Sequence, residues 1–361
     1  MQPLVDQMLM ADSHYVDGTI RTAHRLYEHL IALWAPAIIE AAYELGVFRV
    51  LSEEATDSVT LSKKLETDPR CTRILLEALY TYGFVERIDG VEEAKRYALS
   101  AELKHCFLPG GLYSLVGKMV YDRRLAWDAW RNLASTIRAS GEKHAYMHQQ
   151  NQISDHDYEF LVGGINFFAP PCVDQLCQAL QNLSWETDRA VSVLDIGCGT
   201  GLYSQLLLQR FPRWIATGLD HERIAPLAHT QSVQLGVDDR FTSLACDFWE
   251  VDWKSGFDLI IFANIFHLQN YQSNQQLLIR ASQSLAPGGL ICIIDYIVDD
   301  DRNVDSPQNR FAFLFAASML ATGGGDSYSL SDYHHWLNNS GLQPLHLLNT
   351  PMHRILLAGH V

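Results

Sequence analysis

The stretch Val193-Leu194-Asp195-Ile196-Gly197-Cys198-Gly199-Thr200-Gly201 runs from apolar residues into alternating glycines, and Leu202-Tyr203-Ser204-Gln205-Leu206-Leu207-Leu208 follows it. The first part reads as a buried strand, the glycines as a tight turn, and the leucine-rich part as a helix. Glycine at 197, 199 and 201 removes side chains where a ligand must approach the backbone. The helix behind the turn points its unpaired N–H groups at the same spot. This order places a nucleotide-type site at the carboxyl end of a strand. The spacing is G-x-G-x-G. The third glycine of the dinucleotide pattern would fall at 202, which is Leu, and this counts against NAD.

Outward from that turn, apolar runs alternate with helical patterns. Val191 to Ile196, Trp214 to Leu219, Phe241 to Ala245, Phe257 to Ala263 and Leu290 to Ile294 read as strands, with Pro287-Gly288-Gly289 turning into the last. Leu345 to Leu348 and Arg354 to Ala358 read as two final strands. Continuous apolar strands separated by helices predict an α/β fold around a parallel sheet buried on both faces. Asp220 ends the second strand, where an acid can accept from both hydroxyls of a ribose. Asp247 and Phe248 follow the third, an acid and an aromatic wall suited to the amine and ring of an adenine.

Residues 1–110 read as a helical, winged-helix-like domain. Leu30 to Leu45 is apolar at helical spacing and stops at Gly46. Asp68-Pro69 opens the next helix, with Ile74, Leu75, Ala78, Leu79 and Tyr82 as its core face. Phe84 to Arg87 and Arg96 to Leu99 read as a hairpin around Asp89-Gly90. This outline often binds DNA. Residues 1–110 hold 11 Lys+Arg against 17 Asp+Glu, however, and the whole chain of 361 residues carries −15. A phosphate-binding surface should be basic, so nucleic acid and anionic membranes are excluded as partners. A dimerisation role fits the domain better. Residues 111–185 read as a helical segment rich in aromatics, Phe168 among them, broken at Gly163-Gly164 and Ala169-Pro170-Pro171, and the segments beside such breaks are expected to wall a substrate chamber. Residues 186–361 hold the glycine turn and the sheet.

Seven scattered cysteines without a C-x-x-C pair read as reduced thiols of a cytoplasmic protein, and no histidine spacing suggests a metal. The apolar run Phe311 to Ala321 is too short for the roughly 20 residues of a membrane span.

The D-x-G-x-G-x-G pattern at 195–201 resembles motif I of class I S-adenosyl-L-methionine (SAM)-dependent methyltransferases. Nearly the whole chain resembles the two-domain plant and hydroxyneurosporene O-methyltransferase family. Ala42-Tyr43-Glu44-Leu45-Gly46-Val47-Phe48 and Leu75 to Phe84 are similar to its dimerisation domain, and Leu285-Ala286-Pro287-Gly288-Gly289 to its late motif. The resemblance implies a homodimer formed through the N-terminal domain and a small-molecule acceptor. It also implies SAM held by Asp195, Gly197, Gly199, Gly201, Asp220, Asp247, Phe248, Asn264 and Phe168. In Asn264-Ile265-Phe266-His267, the histidine matches the family's catalytic base, although Leu268-Gln269 replaces the usual Asp-Trp. Asp295 and Asp326 match its two flanking acids, which are Glu in the plant enzymes.

A hydroxyl nucleophile is weak while protonated, and a histidine, with an ordinary pKa of about 6.5, is suited to accept its proton. A thioether needs no base. Parts of the C-terminal half resemble bacterial S-methyltransferases acting on 4-methylthio-2-hydroxybutyrate, for which Arg123, Arg124 or Arg310 would clamp the carboxylate. A SAM-binding protein of this fold that does not methylate is a further alternative.

Overall fold

The computed structural model describes residues 18–88, 95–139, 155–183, 185, 187–322 and 325–360. The chain divides into two compact units, Met1–Gly111 and Leu112–Val361.

In the first unit, α1 (Gly18–Ile31) and α2 (Trp34–Glu44) stand where one helix was expected over 30–45. Pro36 explains the break: it has no N–H for the carbonyl of Ala32, and a new start at Trp34 puts it in a first turn, where none is needed. Gly46, at φ +79°, ends α2 and leads into α3 (Val47–Glu53). Then follow β1 (Thr56–Asp57), α4 (Ser58–Leu65), α5 (Pro69–Thr81), β2 (Glu86–Ile88), β3 (Arg96–Ala98) and α6 (Ala101–Phe107). Asp68 caps α5 by accepting from the Cys71 N–H at 2.8 Å. The buried face of α5 is Thr72, Leu76 and Leu79, one helical stripe, whereas Ile74 faces solvent. β3 pairs antiparallel with both β2 and β1, which makes the wing three-stranded. The expected turn at Asp89-Gly90 lies outside the described residues.

The second unit opens with α7 (Val116–Tyr121), a π-helical turn over Asp122–Ala126, α8 (Trp127–Arg131), α9 (Leu133–Arg138), α10 (Asp155–Gly163) and α11 (Ala169–Asn182). α7 and α10 cross closely because glycine stands at the contact on both sides: a Cβ on Gly117 would lie 1.9 Å from the Phe160 carbonyl oxygen, and one on Gly164, just after α10, 2.3 Å from the Lys118 nitrogen. Pro170 and Pro171 open α11 rather than breaking a helix, as prolines in a first turn can.

The remainder alternates: β4 (Val191–Ile196), α12 (Leu202–Arg210), β5 (Trp214–Asp220), α13 (Ala225–Leu235), β6 (Phe241–Ala245), β7 (Phe257–Ala263), α14 (Tyr271–Ser284), β8 (Leu285–Asp295), α15 (Pro307–Thr322), α16 (Leu330–Asn339), β9 (Leu342–Asn349) and β10 (Arg354–His360). The seven strands form one sheet in the order β6-β5-β4-β7-β8-β10-β9. β4 to β8 are parallel, but β10 is antiparallel to β8 and β9 to β10, so the expected all-parallel sheet ends in an antiparallel edge. One face is packed by α11, α12 and α13 around Leu176, Leu207 and Trp214, the other by α14 and α16 around Phe262, Leu277 and Trp336. β4 lies between β5 and β7, so the glycine turn leaves the sheet near its middle.

Candidate active site

Gly197, Gly199 and Gly201 all have left-handed backbones, at φ +63°, +57° and +71°. Side chains would also collide there. A Cβ on Gly197 would lie 2.3 Å from Ile265 Cδ1, and one on Gly201 would lie 2.7 Å from Phe241 Cζ. The Thr200 hydroxyl ties the turn to the segment before α11 by donating to Asn166 Oδ1 at 2.7 Å.

The acids stand at strand ends, as expected. Asp195 is buried beneath the turn; its Oδ2 accepts from Ser204 at 2.6 Å and its Oδ1 has no partner among the described residues. Burial pushes its carboxyl up to about 6, against the pull of the Ser204 hydrogen bond. Asp220 accepts from the Gly199 N–H and the His221 N–H, both at 2.8 Å, and so holds the turn against β5. Burial raises its carboxyl, and these N–H groups offset part of that rise. Asp247 Oδ1 accepts from the Trp249 N–H at 2.8 Å, and the Phe248 ring comes within 3.7 Å of where a Gly197 Cβ would be.

His267 sits on a 3-10 turn, Phe266–Leu268, fixed from several sides. Its Nδ1 is 2.8 Å from Asp295 Oδ1, at the end of β8. Asp295 Oδ2 accepts from the backbone N–H of Phe266 at 2.9 Å and of His267 at 3.3 Å. Asn274 donates to the Phe266 carbonyl at 3.1 Å and the Tyr328 hydroxyl to the Gln269 carbonyl at 2.6 Å. Burial alone would raise the Asp295 carboxyl. The His267 ring beside it and the Tyr296 N–H outweigh that and hold it below the usual range. The short Asp reaches because β8 brings it directly under the turn. The His267 ring packs on Tyr296 and Phe315, at centroid distances of 5.2 and 5.0 Å, and its Nε2 has no hydrogen-bond partner among the described residues.

Asp326 does not join this pair. Its backbone N–H donates to the His267 carbonyl at 3.0 Å, while its carboxylate accepts from the Ser327 N–H at 2.7 Å. Gly325 explains this: at φ +118° it lies so close that a Cβ would be 2.2 Å from the His267 carbonyl oxygen. Gly323 and Gly324 lie outside the described residues. Arg123, Arg124 and Arg310 are exposed, and Arg310 donates to the Val304 carbonyl at 3.2 Å.

Asn264, at φ +61°, ends β7. Its amide donates to Tyr203 Oη at 3.2 Å and its Oδ1 is 2.7 Å from His353 Nε2. Phe168 packs edge-on to His353 at 4.8 Å. Neither Tyr203 nor His353 was expected here. Tyr203 had a signal, its place just behind the turn; His353 had none. Tyr158 was read only as one of many aromatics. It lies under Arg223, 4.8 Å from ring centroid to guanidinium carbon, where burial and Asp220 push its phenol up to about 12.

Among the described residues, no group of three or more His, Cys, Asp or Glu could hold a metal, and no single helix is long and apolar enough to cross a membrane.

The methyltransferase-domain family matches residues 193–289, and the O-methyltransferase dimerisation-domain family matches residues 27–104. The 3-hydroxy-5-methyl-1-naphthoate 3-O-methyltransferase of Streptomyces sahachiroi is 24% identical, with 86% of each chain covered. The mitomycin biosynthesis 6-O-methyltransferase of Streptomyces lavendulae is 23% identical, again with 86% of each chain covered. Human N-acetylserotonin methyltransferase, solved with SAM, superposes with a TM-score of 0.79 over 97% of this chain and 99% of that one at 17% identity. Sheet order, glycine turn and strand-end acids define a class I SAM-dependent methyltransferase acting on a small molecule. Within that class, its two family matches, a methyltransferase domain and an O-methyltransferase dimerisation domain, are the pair found in two-domain O-methyltransferases. Its residues fit SAM: the turn is a cradle that a Cβ would fill, and the unpartnered Asp195 oxygen beneath it favours a cationic ligand.

Proposed function

We propose that the protein methylates a hydroxyl oxygen of a small aromatic acceptor, with His267 as the base. The observation that carries this reading is the His267–Asp295 pair, with Nδ1 engaged at 2.8 Å and Nε2 left to accept a proton beside aromatic walls. When bound, SAM supplies an electrophilic methyl group. Asp220 accepts from its ribose, Asp247 and Phe248 hold its adenine, and Phe168 and Asn264 border the same site. The acceptor lies against Tyr296, Phe311 and Phe315, which exclude water. His267 Nε2 takes the hydroxyl proton as the oxygen attacks. Asp295 keeps the proton of His267 on Nδ1 and stabilises the imidazolium that forms. Base catalysis of this kind contributes about 10²–10⁴-fold, and alignment roughly 7–11 kcal/mol.

The relatives support the acceptor class, since one is named for a hydroxynaphthoate. Against thioether methylation stand the buried acid behind His267 and the exposed arginines. The test is S-adenosylhomocysteine release across hydroxynaphthoates, polyketide phenols, hydroxy acids and 4-methylthio-2-hydroxybutyrate. Turnover only on the thioether, unaffected by His267→Ala, would overturn the reading.

We also propose a homodimer. The dimerisation-family match supports it, as do the exposed apolar residues Leu26, Tyr27 and Leu30 on α1, Leu33 at the junction and Trp34 at the start of α2. Light scattering would return the monomer mass if this is wrong. Seven cysteines without a disulfide suit a reducing compartment such as the cytoplasm.

A further inference from the structure

His353 is buried, uncharged and fixed on every side, yet the methyl-transfer reading gives it no role. Thr350 grips its backbone in both directions: the His353 N–H donates to Thr350 Oγ1 at 3.0 Å, and the Thr350 N–H donates to the His353 carbonyl at 2.9 Å. The ring stacks on Tyr296 at 4.5 Å and 28°, and Phe168 closes its edge at 4.8 Å. Among the described residues, only Nε2 of the ring is engaged, 2.7 Å from Asn264 Oδ1. Because the Asn264 amide donates to Tyr203 Oη, Oδ1 is the acceptor and His353 Nε2 carries the proton. Burial holds the ring's pKa down to about 4, so it is a neutral donor at physiological pH.

Two donors are left over in this chain of bonds. The second N–H of Asn264 and the O–H of Tyr203 have no acceptor among the described residues. Both groups adjoin the glycine turn. Ile265, next to Asn264, touches Gly197, and Tyr203 is the second residue of α12. The strand order says what would meet them. Asp220, suited to ribose, ends β5, and Asp247, suited to adenine, follows β6 by two residues, both on one side of β4. Asn264 ends β7 on the other side. A nucleoside laid over β5 and β6 directs the remaining amino-acid part of SAM toward β7. Its carboxylate is the only anion it carries, and the first turn of α12 favours an anion as well.

We propose that His353 is a positioning residue for the cofactor: it fixes the Asn264 carboxamide so that Asn264 N–H and Tyr203 O–H receive the carboxylate of SAM. His353 touches neither the reacting atoms nor the carboxylate. It acts by denying Asn264 the alternative orientation, in which the amide nitrogen would face another donor.

The test is calorimetric binding of S-adenosylhomocysteine, which has the carboxylate, and of 5′-methylthioadenosine, which lacks the whole amino-acid part. Wild type is compared with Tyr203→Phe, His353→Phe and His353→Gln. His353→Phe keeps the aromatic stack and removes the donor, while Gln restores an N–H. Tyr203→Phe and His353→Phe should each weaken S-adenosylhomocysteine about tenfold, as loss of a hydrogen bond to a charged group implies. Methylthioadenosine should bind all variants equally, and His353→Gln should recover most of the loss. The double variant should lose less than the two single losses combined, because both act on one chain of bonds. Unchanged S-adenosylhomocysteine affinity would overturn the proposal. So would equal weakening of both ligands, which would mark His353 as merely structural. Tyr203→Phe, a half-buried position, keeps the idea testable even if the His353 variants do not fold.

Discussion

Replacing Asp295 by Asn keeps the shape of the side chain and removes its charge. Four N–H groups converge on this carboxylate: His267 Nδ1 and the Tyr296 N–H on Oδ1, both at 2.8 Å, and the Phe266 and His267 N–H groups on Oδ2, at 2.9 and 3.3 Å. An amide turns one oxygen into a donor, so it opposes two N–H groups whichever way it points. Left alone, two unpaired buried donors would cost about 2–6 kcal/mol. The imidazole offers a partial escape. If the amide nitrogen takes the Oδ1 place, His267 can accept from it at Nδ1 and move its own proton to Nε2. One orphan then remains, the Tyr296 N–H, for about 1–3 kcal/mol. In a unit of this size that lowers Tm by about 2–12 °C. The escape ruins the chemistry, because a protonated Nε2 cannot accept from the acceptor hydroxyl. The kcat should fall by about 10²–10⁴-fold while S-adenosylhomocysteine affinity stays within threefold of wild type. The assay is single-turnover S-adenosylhomocysteine formation on a phenolic acceptor, with a thermal melt alongside. A folded Asp295→Asn enzyme with kcat within about threefold of wild type would refute the tautomer argument and the base with it.

Four further outcomes follow from the same geometry. His267→Ala should abolish turnover of hydroxylated acceptors with S-adenosylhomocysteine binding unchanged; equal loss of binding would make His267 a structural residue. Gly197→Ala, with its Cβ 2.3 Å from Ile265 and φ at +63°, should lose cofactor binding by equilibrium dialysis, and retained binding would mean the turn can open. Asp326→Asn should leave kcat within about threefold, since its carboxylate faces the Ser327 N–H, whereas a large loss would restore it as the second acid. His353 has a folded pKa depressed from 6.5 to about 4, so unfolded chains bind a proton that the fold refuses. Its contribution is fully present above 6.5 and is lost as pH falls toward 4, about 3 kcal/mol in all. Chemical melts of His353→Phe across pH 7 to 4 should therefore be flatter than wild type by that amount, and parallel curves would show that His353 is charged in the fold.

The legible parts of this molecule are those written in short stretches of chain. β4 and β7 begin and end where apolar runs do, because a strand buried on both faces tolerates few polar residues. The acids at 195, 220 and 247 stood out because each interrupts or ends such a run. The helix break before Trp34 was legible too, in Pro36, but the apolar periodicity on either side concealed it. Asp295 was reached through family spacing, and the strand pairing explains why that spacing works: the Asn264 N–H bonds to the Ile294 carbonyl at 2.9 Å, which brings β8's end beneath the His267 turn. Asp326 stands apart from the His267–Asp295 pair for the opposite reason. A carboxylate after a glycine-rich stretch is aimed by the backbone of those glycines, and the φ of Gly325 sends it to Ser327. His353 lay beyond any local pattern. It stands 89 residues from Asn264, and its two ring neighbours, Phe168 and Tyr296, come from before β4 and after β8. What gives it meaning is an antiparallel last pair of strands: β10 returns beside β8 and sets the residue before Arg354 next to the end of β7. A lone histidine between Met352 and Arg354 acquires a function only once that return is made, so hydrogen-bond chains across a sheet are the part of a site that short-range reading misses first.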